Sequence, residues 1–464
     1  MTGGPELRSA IEPVVWPAVL RGEAAQLLAL QGQFEATQWW PEARLRQYQF
    51  GQLQRLVEHA ARAVPFYAER LRLAGIDPQA PLTEAAWARL PVLTRHEVQD
   101  AGEQLQASAL PPQYGGTGIT TTGGSTGIPV RVRKSALDLL FWSAVAIREE
   151  LWHREDMRGT IARVRALPGN LTPEQIARVR SPEGLILPNW GPPASQVWHT
   201  GPAVMLDYTL SVPDQAAYLG RLGPDYLFTD PSNLRLLLAH CRDEGIALPS
   251  LRAVWTVSEV VDPALRALCA AVFGVRIVHN FSAAEVGYIA LQCPEHEHFH
   301  VQSEVVHVEV LDAQGRACGP GEIGRVVVTP LHNFAMPLLR YELGDEAEMG
   351  VACPCGRGLP VLTQVIGRTI DHLTLPSGQK RRPVLNHYRL AEFTAIREFQ
   401  IVQRSVTRIE VLMVVGRPLT SAEEVEVKAV LTAELGEEFA IELRYCEALP
   451  RTAAGKLRPF VSDL

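Results

Sequence analysis

TTTGGSTGIP spans Thr120 to Pro129 and packs hydroxylated residues and glycines into one short stretch that ends at a proline. The glycines allow the backbone to turn sharply and to present consecutive N–H groups to an anion, and the Ser and Thr hydroxyls can donate to phosphate oxygens. The stretch therefore predicts a loop that binds a polyphosphate. It is not a Walker A loop, because no lysine follows Gly127. A flexible loop without a ligand remains an alternative at this point.

The size and composition of the chain predict a globular protein with more than one domain. A length of 464 residues favours roughly two to four domains. A content of 47% apolar and 20% charged residues is typical of a soluble protein with a large core. The net charge of -7 argues against general binding to nucleic acid or to anionic membranes.

The sequence also predicts the compartment. No run of roughly 18 apolar residues is present, so we expect no membrane span. The first residues, MTGGPE, lack the basic and apolar regions of a signal peptide. The dispersed cysteines, 7 in number, favour a reducing compartment over a disulfide scaffold. We therefore expect a cytoplasmic protein.

The order of the periodic segments predicts an α/β fold. Residues 43–75 have a helical spacing that Pro65 interrupts, and Thr94-Arg95-His96-Glu97 has the form of a capping box. Short apolar runs alternate with helical patterns over 155–290, which indicates α/β layering. Residues 303–350 contain strand patterns joined by glycine-rich turns, and these predict a β-rich region.

The last part of the chain predicts a separate small module. Two strand patterns are followed by a helix, which starts with the capping-box form Ser421-Ala422-Glu423-Glu424 and ends near Leu435, and by one more strand. This is a ββαβ arrangement whose boundary we expect near Gly367-Arg368.

Four further motifs follow the glycine-rich stretch in order. They are FSAAE at 281–285, RYELGD at 340–345, IGR at 366–368 and PRTAAGKLR at 450–458. With these motifs in this order, the chain resembles the adenylate-forming (AMP-binding) superfamily, and within it the phenylacetate–CoA ligase and capsule-biosynthesis adenylating branch. The resemblance extends over residues 45–464.

The resemblance implies a division into domains. Residues 1–367 would form a large N-terminal AMP-binding α/β domain, and residues 368–464 a small, mobile α+β lid. Within the large domain, residues 1–110 would be a helical N-terminal portion and residues 300–367 a β-rich subdomain.

The resemblance also assigns residues to ATP and AMP. Those of the glycine-rich stretch would hold the β- and γ-phosphates, and those of the later motifs would contact the rest of the nucleotide. The residues are Thr122, Gly123, Gly124, Ser125, Thr126, Gly127, Ala284, Tyr341, Asp345 and Arg368. Among them, Asp345 would accept hydrogen bonds from the ribose hydroxyls.

Two residues would have catalytic roles. Glu285 would help to hold Mg²⁺, since a hard cation that bridges phosphates prefers carboxylate oxygens. Lys456 would reach in from the lid and bridge the attacking carboxylate and the α-phosphate, where its ammonium offsets the charge that develops as pyrophosphate leaves. Taken without the motifs, each could be an ordinary surface or helix-end charge.

The chain departs from the family pattern in two motifs. FSAAE stands where Tyr-Gly-x-Thr-Glu is usual, and the loss of two hydroxyls could alter the contacts to adenine and to the acid. The hinge motif usually has two acidic residues, whereas Ile370 precedes Asp371 in this chain. The lid could therefore turn at a different residue, which bears on the second half-reaction more than on the first.

A second kind of site is predicted by Cys293, His300, Cys353 and Cys355, which form a Cys-x6-His and a Cys-x-Cys set. Three thiolates and one imidazole suit tetrahedral Zn²⁺ in a structural site, because the protein fills every position. His296 and His298 lie nearby and could replace His300 as the ligand. Buried free cysteines with surface histidines are the alternative without a metal.

The implied activity is that of an AMP-forming acid–thiol ligase. ATP and a small carboxylic acid would give acyl-AMP and pyrophosphate, and coenzyme A would then take the acyl group and release AMP. Closure of the lid would keep water from the mixed anhydride. The branch favours an aromatic acid such as phenylacetate or a hydroxybenzoate. A core role is the default for the tryptophans of the expected pocket region, and none of them is assigned as a substrate contact; they are Trp142, Trp190, Trp198 and Trp255.

Three alternatives remain open from the sequence. The acceptor could be the phosphopantetheine arm of an acyl carrier protein, or it could be an amine, which would make the product an amide. The departures in FSAAE and in the hinge could instead mark a degenerate nucleotide-binding protein without turnover, although Glu285, Asp345 and Lys456 are retained.

Overall fold

The computed structural model of the chain describes residues 6–121, 130–153, 156–165, 171–366, 373–381, 395–436, 439–450 and 460–464, together with Pro383, Phe393 and Arg458. The α-helices of these ranges are α1 Gly22–Thr37, α2 Glu42–Ala63, α3 Pro65–Leu73, α4 Glu84–Arg89, α5 Arg95–Ala101, α6 Ala136–Trp152, α7 Pro173–Val179, α8 Ala194–Val197, α9 Val212–Leu222, α10 Pro231–Asp243, α11 Pro263–Phe273 and α12 Ser421–Leu435. Short 3₁₀ helices cover Gly102–Leu105 and Pro112–Tyr114.

The strands follow the same chain order. They are β1 Thr117–Thr121, β2 Arg131–Ser135, β3 Ile161–Arg165, β4 Leu185–Leu187, β5 Ala203–Asp207, β6 Tyr226–Thr229, β7 Ala253–Thr256, β8 Arg276–Ala283, β9 Gly287–Gln292, β10 Phe299–Val301, β11 Val306–Leu311, β12 Ile323–Pro330, β13 Tyr341–Met349, β14 Val361–Ile366, β15 Leu373–Thr374, β16 Lys380–Arg381, β17 Ile396–Ser405, β18 Arg408–Val415, β19 Ala440–Tyr445 and β20 Phe460–Ser462.

Local signals start and end the N-terminal helices. α2 ends at Ala63 and α3 begins at Pro65, because proline breaks a helix interior but fits the first turn of a new helix. α5 begins after Thr94, and the side chains of Thr94 and Glu97 make both bonds of the expected capping box. None of the helices in the described ranges is long and apolar enough to cross a membrane.

The large sheet has 12 strands in the order β11-β12-β13-β14-β10-β9-β8-β7-β6-β3-β5-β4. Strands β5, β3, β6, β7 and β8 are parallel, and α9, α10 and α11 connect β5 through β8. From β8 onwards through β9 to β11, neighbouring strands are antiparallel. The parallel half matches the α/β layering expected for 155–290, and the antiparallel half contains the strands expected over 303–350.

Each half of the sheet has its own apolar core. Helices α2 and α3 pack against the antiparallel half, where Leu56, Phe281 and Tyr341 are buried in one cluster. Phe281 stands where the motif usually has a tyrosine. Its side chain is part of the core and is 8% exposed. A second cluster fills the space between the parallel strands and their helices, with Leu237 and Val254 at its centre.

The C-terminal strands form a separate sheet in the order β19-β18-β17-β20. Helix α12 covers it, and the two share a core that includes Val427 and Phe460. The ββαβ arrangement expected here is present, and β20 adds a strand that runs parallel to β17. The N-cap of α12 is Thr420, which pairs with Glu423 in the capping box. The capping-box pattern in the sequence predicted Ser421 at this position, which is wrong by one residue.

The glycine-rich stretch connects the two strands of a hairpin. β1 and β2 pair antiparallel in a sheet of their own, and the last pair before the connection is Thr121 with Arg131. Residues 122–129, with the expected phosphate contacts from Thr122 to Gly127, lie outside the described residues. The hairpin therefore brings the two flanks of the stretch side by side, and helix α6 begins at the other end of the hairpin, directly after Ser135.

Candidate active site

A cavity of about 310 Å³ opens between the β1–β2 hairpin, helix α6 and the segment that follows β8. It has both polar and aromatic walls, and it includes two of the residues that the motifs single out, Ala284 and Glu285. The lining side chains used below are Thr120, Lys134, Asp138, Phe141, Trp142, Ala284, Glu285, Tyr288, His332 and Asn333. Its size and mixed lining are typical of a site for a small molecule.

Glu285 lies directly after β8 and is 7% exposed. The Arg95 guanidinium forms an ion pair with its Oε1 at 3.2 Å, and the Tyr341 hydroxyl donates to the same oxygen at 3.3 Å. Burial, together with the neighbouring Glu285 carboxylate, raises the pKa of Tyr341, so its hydroxyl keeps its proton and stays a donor. These contacts fix the Glu285 carboxylate at the wall of the cavity, where a cation-bridged phosphate could reach it.

Lys134 is a cation of this cavity that the sequence analysis did not identify. It lies on β2, and its Nζ donates to the backbone oxygen of Ala284 at 2.8 Å. Burial lowers its pKa, while the carboxylates of Asp138 and Glu285 act in the opposite direction. In a sequence, a lysine on a short strand usually indicates a solvated surface charge. The position of Lys134 shortly after the glycine-rich stretch was the one sequence signal that could have assigned it to the site.

Asp138 is held in a capping box at the start of α6. Its Oδ2 accepts from the Ser135 backbone N–H at 2.8 Å and from the Ser135 hydroxyl at 2.6 Å. Burial raises the pKa of Asp138, while its bonds with Ser135 act in the opposite direction. The residue orients the first turn of α6, and Phe141 and Trp142 of the cavity wall lie on the next turn of the same helix.

Asp345, the expected ribose ligand, lies within an irregular part of β13. Arg325 of β12 pairs with Glu346 of β13, and Val327 pairs with Glu342. Between these two pairs β12 advances by two residues and β13 by four. β13 therefore bulges over the Leu-Gly-Asp part of its motif, and the glycine there has a φ of 82°. A bulge redirects the side chains next to it, which accounts for a half-buried Asp345 between the exposed Gly344 and the half-buried Glu346.

Arg340 begins the same motif and has a structural role. It is 4% exposed, and its guanidinium bonds both oxygens of Glu309, at 2.9 and 3.0 Å, as well as the backbone oxygens of Ala88 and Leu90. Its backbone oxygen accepts from the Leu93 N–H at 2.8 Å. The arginine thus ties β13 to the N-terminal helices and positions the tyrosine that follows it.

Several of the expected site residues lie outside the described residues. They are Thr122, Gly123, Gly124, Ser125, Thr126, Gly127, Arg368 and Lys456, together with the hinge residues Ile370 and Asp371. The structure brings together Ala284, Glu285 and Tyr341, to which it adds Arg95 and Lys134.

The four tryptophans considered in the sequence have different environments. Trp190 and Trp198 are each 3% exposed in one apolar cluster, and Trp255 packs against the same cluster. Trp142 is 43% exposed and lines the cavity, with its ring centroid 5.8 Å from that of Tyr288. Among these residues, Trp142 is the one that the structure places at the candidate site.

The expected metal ligands form a compact cluster. Ligand atoms of Cys293, His300, Cys353 and Cys355 all lie within 4.8 Å of one another. Cys293 follows β9, His300 is in β10, and the other two lie between β13 and β14, so the cluster joins two turns that connect neighbouring strands inside the sheet. The histidine left open in the sequence analysis is His300 in this cluster, although His298 Nε2 is 3.0 Å from Cys353 Sγ.

Two distances within the cluster are close to those of a tetrahedral zinc site. The Sγ atoms of Cys293 and Cys353 are 3.9 Å apart, and His300 Nε2 is 3.4 Å from Cys355 Sγ. A tetrahedral Zn²⁺ site requires about 3.8 Å between sulfurs and about 3.5 Å between sulfur and nitrogen. The other ring nitrogen of His300 faces the backbone oxygen of Leu359 at 3.4 Å, which favours a lone pair on Nε2.

Comparison with known proteins gives a consistent picture. Residues 384–463 match the CapK C-terminal domain family. The chain is 25% identical over 452 residues to a phenylacetate–coenzyme A ligase of Thermus thermophilus, an alignment that covers 90% of this chain and 96% of that protein.

Solved structures of a 2-hydroxyisobutyryl-CoA ligase have the same fold. The ligase with 2-HIB-AMP and CoA in its thioesterification state is 19% identical, with a TM-score of 0.59 over 92% of this chain and 91% of that one. The structure of that ligase in its postadenylation state is 18% identical, with a TM-score of 0.57 over 92% of this chain and 91% of that one. The comparisons confirm the resemblance expected from the ordered motifs and the expected mixed α/β fold class.

Proposed function

We propose that this chain, a homologue of a phenylacetate–coenzyme A ligase with the fold of adenylate-forming CoA ligases, is an AMP-forming acyl-CoA ligase. The observation that carries the proposal is the cavity in which Thr120, at the start of the glycine-rich stretch, meets the Ala284–Glu285 motif. In the first half-reaction an acid carboxylate attacks the α-phosphate of ATP and pyrophosphate leaves. In the second, the coenzyme A thiol attacks the acyl carbon and AMP leaves.

The residues have the following proposed roles in the first step. Residues 122–127 hold the β- and γ-phosphates with backbone N–H groups and hydroxyls. Glu285 would hold a Mg²⁺ ion, which neutralises phosphate charge when bound. Lys134 places a positive charge beside Ala284, where the acid and the α-phosphate meet. Asp345 holds the ribose hydroxyls.

The C-terminal part of the chain would supply the mobile lid. We divide the chain into a domain of residues 1–367 and a lid of residues 368–464, with Arg368 at the boundary and in contact with the nucleotide. Lys456 bridges the carboxylate and the α-phosphate when the lid closes. We expect Lys456→Ala to lower the rate of pyrophosphate release roughly 10²–10³-fold, by analogy with the loss of one transition-state donor. An unchanged rate in that variant would remove Lys456 from the site.

The walls of the cavity favour an aromatic acid. The rings of Phe141, Trp142 and Tyr288 line it beside Leu139 and Val145, which leaves an apolar space next to the charged end at Glu285. Flat aromatic walls bury a flat ring with little loss of side-chain entropy. The relative from Thermus thermophilus is named for phenylacetate, which supports the same class.

Coenzyme A is the favoured acceptor. The relative and the solved structures described above are named for coenzyme A, and this supports coenzyme A over a carrier-protein thiol, an amine or a degenerate protein without turnover. Mass spectrometry of the product distinguishes these cases, because a coenzyme A thioester, a carrier-bound thioester and an amide differ in mass.

The test of the function is ATP-dependent pyrophosphate release with a panel of aromatic and aliphatic acids, with and without coenzyme A. We expect release with at least one aromatic acid and a coenzyme A thioester when coenzyme A is added. Absence of release with every acid, in folded and metal-replete protein, would refute the proposed adenylation.

We also propose that the cluster of Cys293, His300, Cys353 and Cys355 holds a structural Zn²⁺. All four positions of a tetrahedral ion would be filled by the protein, so the site leaves no place for a substrate. The ion would tie the turn after β9 to the turn between β13 and β14. Metal analysis of protein purified without chelators should find about one zinc per chain, and a content far below this would refute the proposal.

A further inference from the structure

Asn333 lines the cavity and has a buried hydrogen-bond donor without a partner in the described part of the chain. The residue is 2% exposed, and the donor is its Nδ2. Its Oδ1 accepts from the backbone N–H groups of Ala335 and Met336, at 3.1 and 3.0 Å. Because an oxygen must occupy that position, the amide cannot be turned over, and the atom left without a partner is the donor.

His332, the preceding residue, has a similar arrangement. Its ring stacks on Phe141, with centroids 3.6 Å apart and planes at 9°, and its Nδ1 also lacks a partner within the described residues. Burial lowers the pKa of His332 to about 3, so the ring is neutral at physiological pH and offers one donor and one acceptor. Two consecutive residues that line one cavity therefore have polar atoms without a partner among the described residues, and His332 lies against the aromatic Phe141.

Buried polar groups in folded proteins nearly always have partners, so two such groups in one binding cavity indicate a ligand atom that completes them. Building on the proposed function, we infer that the acid has an aromatic body with an oxygen substituent, such as a hydroxyl, methoxy or oxo group, that accepts a hydrogen bond from Asn333. The carboxylate belongs at the charged part of the cavity with Glu285 and Lys134, and Asn333 selects the substituent, with His332 as a second polar group.

The inference predicts a specific pattern of substrate preference. A donor buried without a partner favours a substrate that completes it, so we expect oxygen-substituted acids to exceed methyl-substituted acids of equal size about 10- to 100-fold in kcat/KM. The assay is pyrophosphate release by the full chain with hydroxy-, methoxy- and methyl-substituted phenylacetates and benzoates.

Asn333→Asp is the decisive variant, because an Asp carboxylate can still accept from the two backbone N–H groups but cannot donate to the substrate. We expect kcat/KM for oxygen-substituted acids to fall about 10- to 100-fold more than for methyl-substituted acids, with KM for ATP unchanged. His332→Phe keeps the stack on Phe141 and tests the second group. Asn189→Asp is a matched control. The Oδ1 of Asn189 also accepts a hydrogen bond from a backbone N–H, that of Gly191, but Asn189 is not among the residues that line the cavity.

The outcomes separate the inference from the function on which it rests. No pyrophosphate release by the unmodified protein with any acid would refute the function itself. Release without preference for oxygen-substituted acids, or an equal loss for all acids in Asn333→Asp, would refute the inference alone and would point to a structural water on Asn333. A raised KM for ATP in that variant would also refute it, because Asn333 would then contact the nucleotide.

Discussion

Replacing Glu149 by Gln should stabilise the protein at alkaline pH and change its stability much less at acidic pH. Glu149 lies on α6, is 3% exposed, and its carboxylate oxygens accept from the Asn280 amide at 3.0 and 3.3 Å. Burial raises its pKa from an ordinary value of 4.5 to about 7, although the bonds from Asn280 and Tyr288 act in the opposite direction. The folded protein therefore binds this proton more tightly than the unfolded chain.

The sign and the magnitude follow from these two pKa values. The protonated Glu149 carboxyl stabilises the folded protein fully below pH 4.5, which is the pKa of this group in the unfolded chain. This stabilisation is lost as the pH rises through about 7, the pKa of the group in the folded protein. Integrating the linkage relation between pH 5 and pH 8 gives a loss of about 2.5 kcal/mol from this one group. Gln carries no titrating proton, so the variant lacks this loss.

Chemical denaturation at four pH values between 5 and 8 measures the effect. The unfolding free energy of Glu149→Gln minus that of the unmodified protein should grow by about 2.5 kcal/mol across the range. Glu426→Gln, at an exposed position of α12, is the matched control, and its difference should stay flat. A Glu149→Gln difference that is independent of pH, or that grows towards acid, would refute the reasoning.

Three further predictions concern the motif arginine, the cavity cation and the metal cluster. Arg340→Met should lower the unfolding free energy by about 3–5 kcal/mol, because it leaves the Glu309 carboxylate without its buried partner; a loss below about 1 kcal/mol in denaturation would contradict a buried pair. Lys134→Met should lower pyrophosphate release roughly 10²–10³-fold and Lys134→Arg less, whereas equal rates in all three proteins would place Lys134 outside the site. His300→Ala should lose bound zinc while His298→Ala keeps it, and metal analysis showing the reverse would exchange the two histidines.

The sequence predicted best what depends on neighbouring residues. The break at Pro65 and the capping box at Thr94 are set within a few positions of the chain, and the structure has both. The small error at the start of α12 has the same origin. Thr420 and Ser421 are both good N-cap residues, and which of them pairs with an acidic partner is decided by a single helical position.

The metal cluster shows how far residue chemistry alone can reach. Three cysteines and a histidine were identified as metal ligands from their spacing, because thiolates and an imidazole at such spacing are typical of a metal site. The choice among histidines was different. His298 and His300 are two residues apart, so on an extended segment they point the same way, and spacing does not separate them. The pairing of β10 with β14, the strand that follows the turn with Cys353 and Cys355, is what brings His300 to the cysteines.

The motif order, the fold class and the chemical types in the candidate site could be predicted from the amino-acid sequence, because ordered motifs and residue spacing are properties of a linear chain. Which side chains meet across long separations became known only from the folded chain. The fold places Lys134 on the backbone of Ala284, Arg95 on Glu285, and Asn333 at the same cavity. These contacts depend on sheet register and helix packing, which the free energy of the whole core sets and no local pattern records.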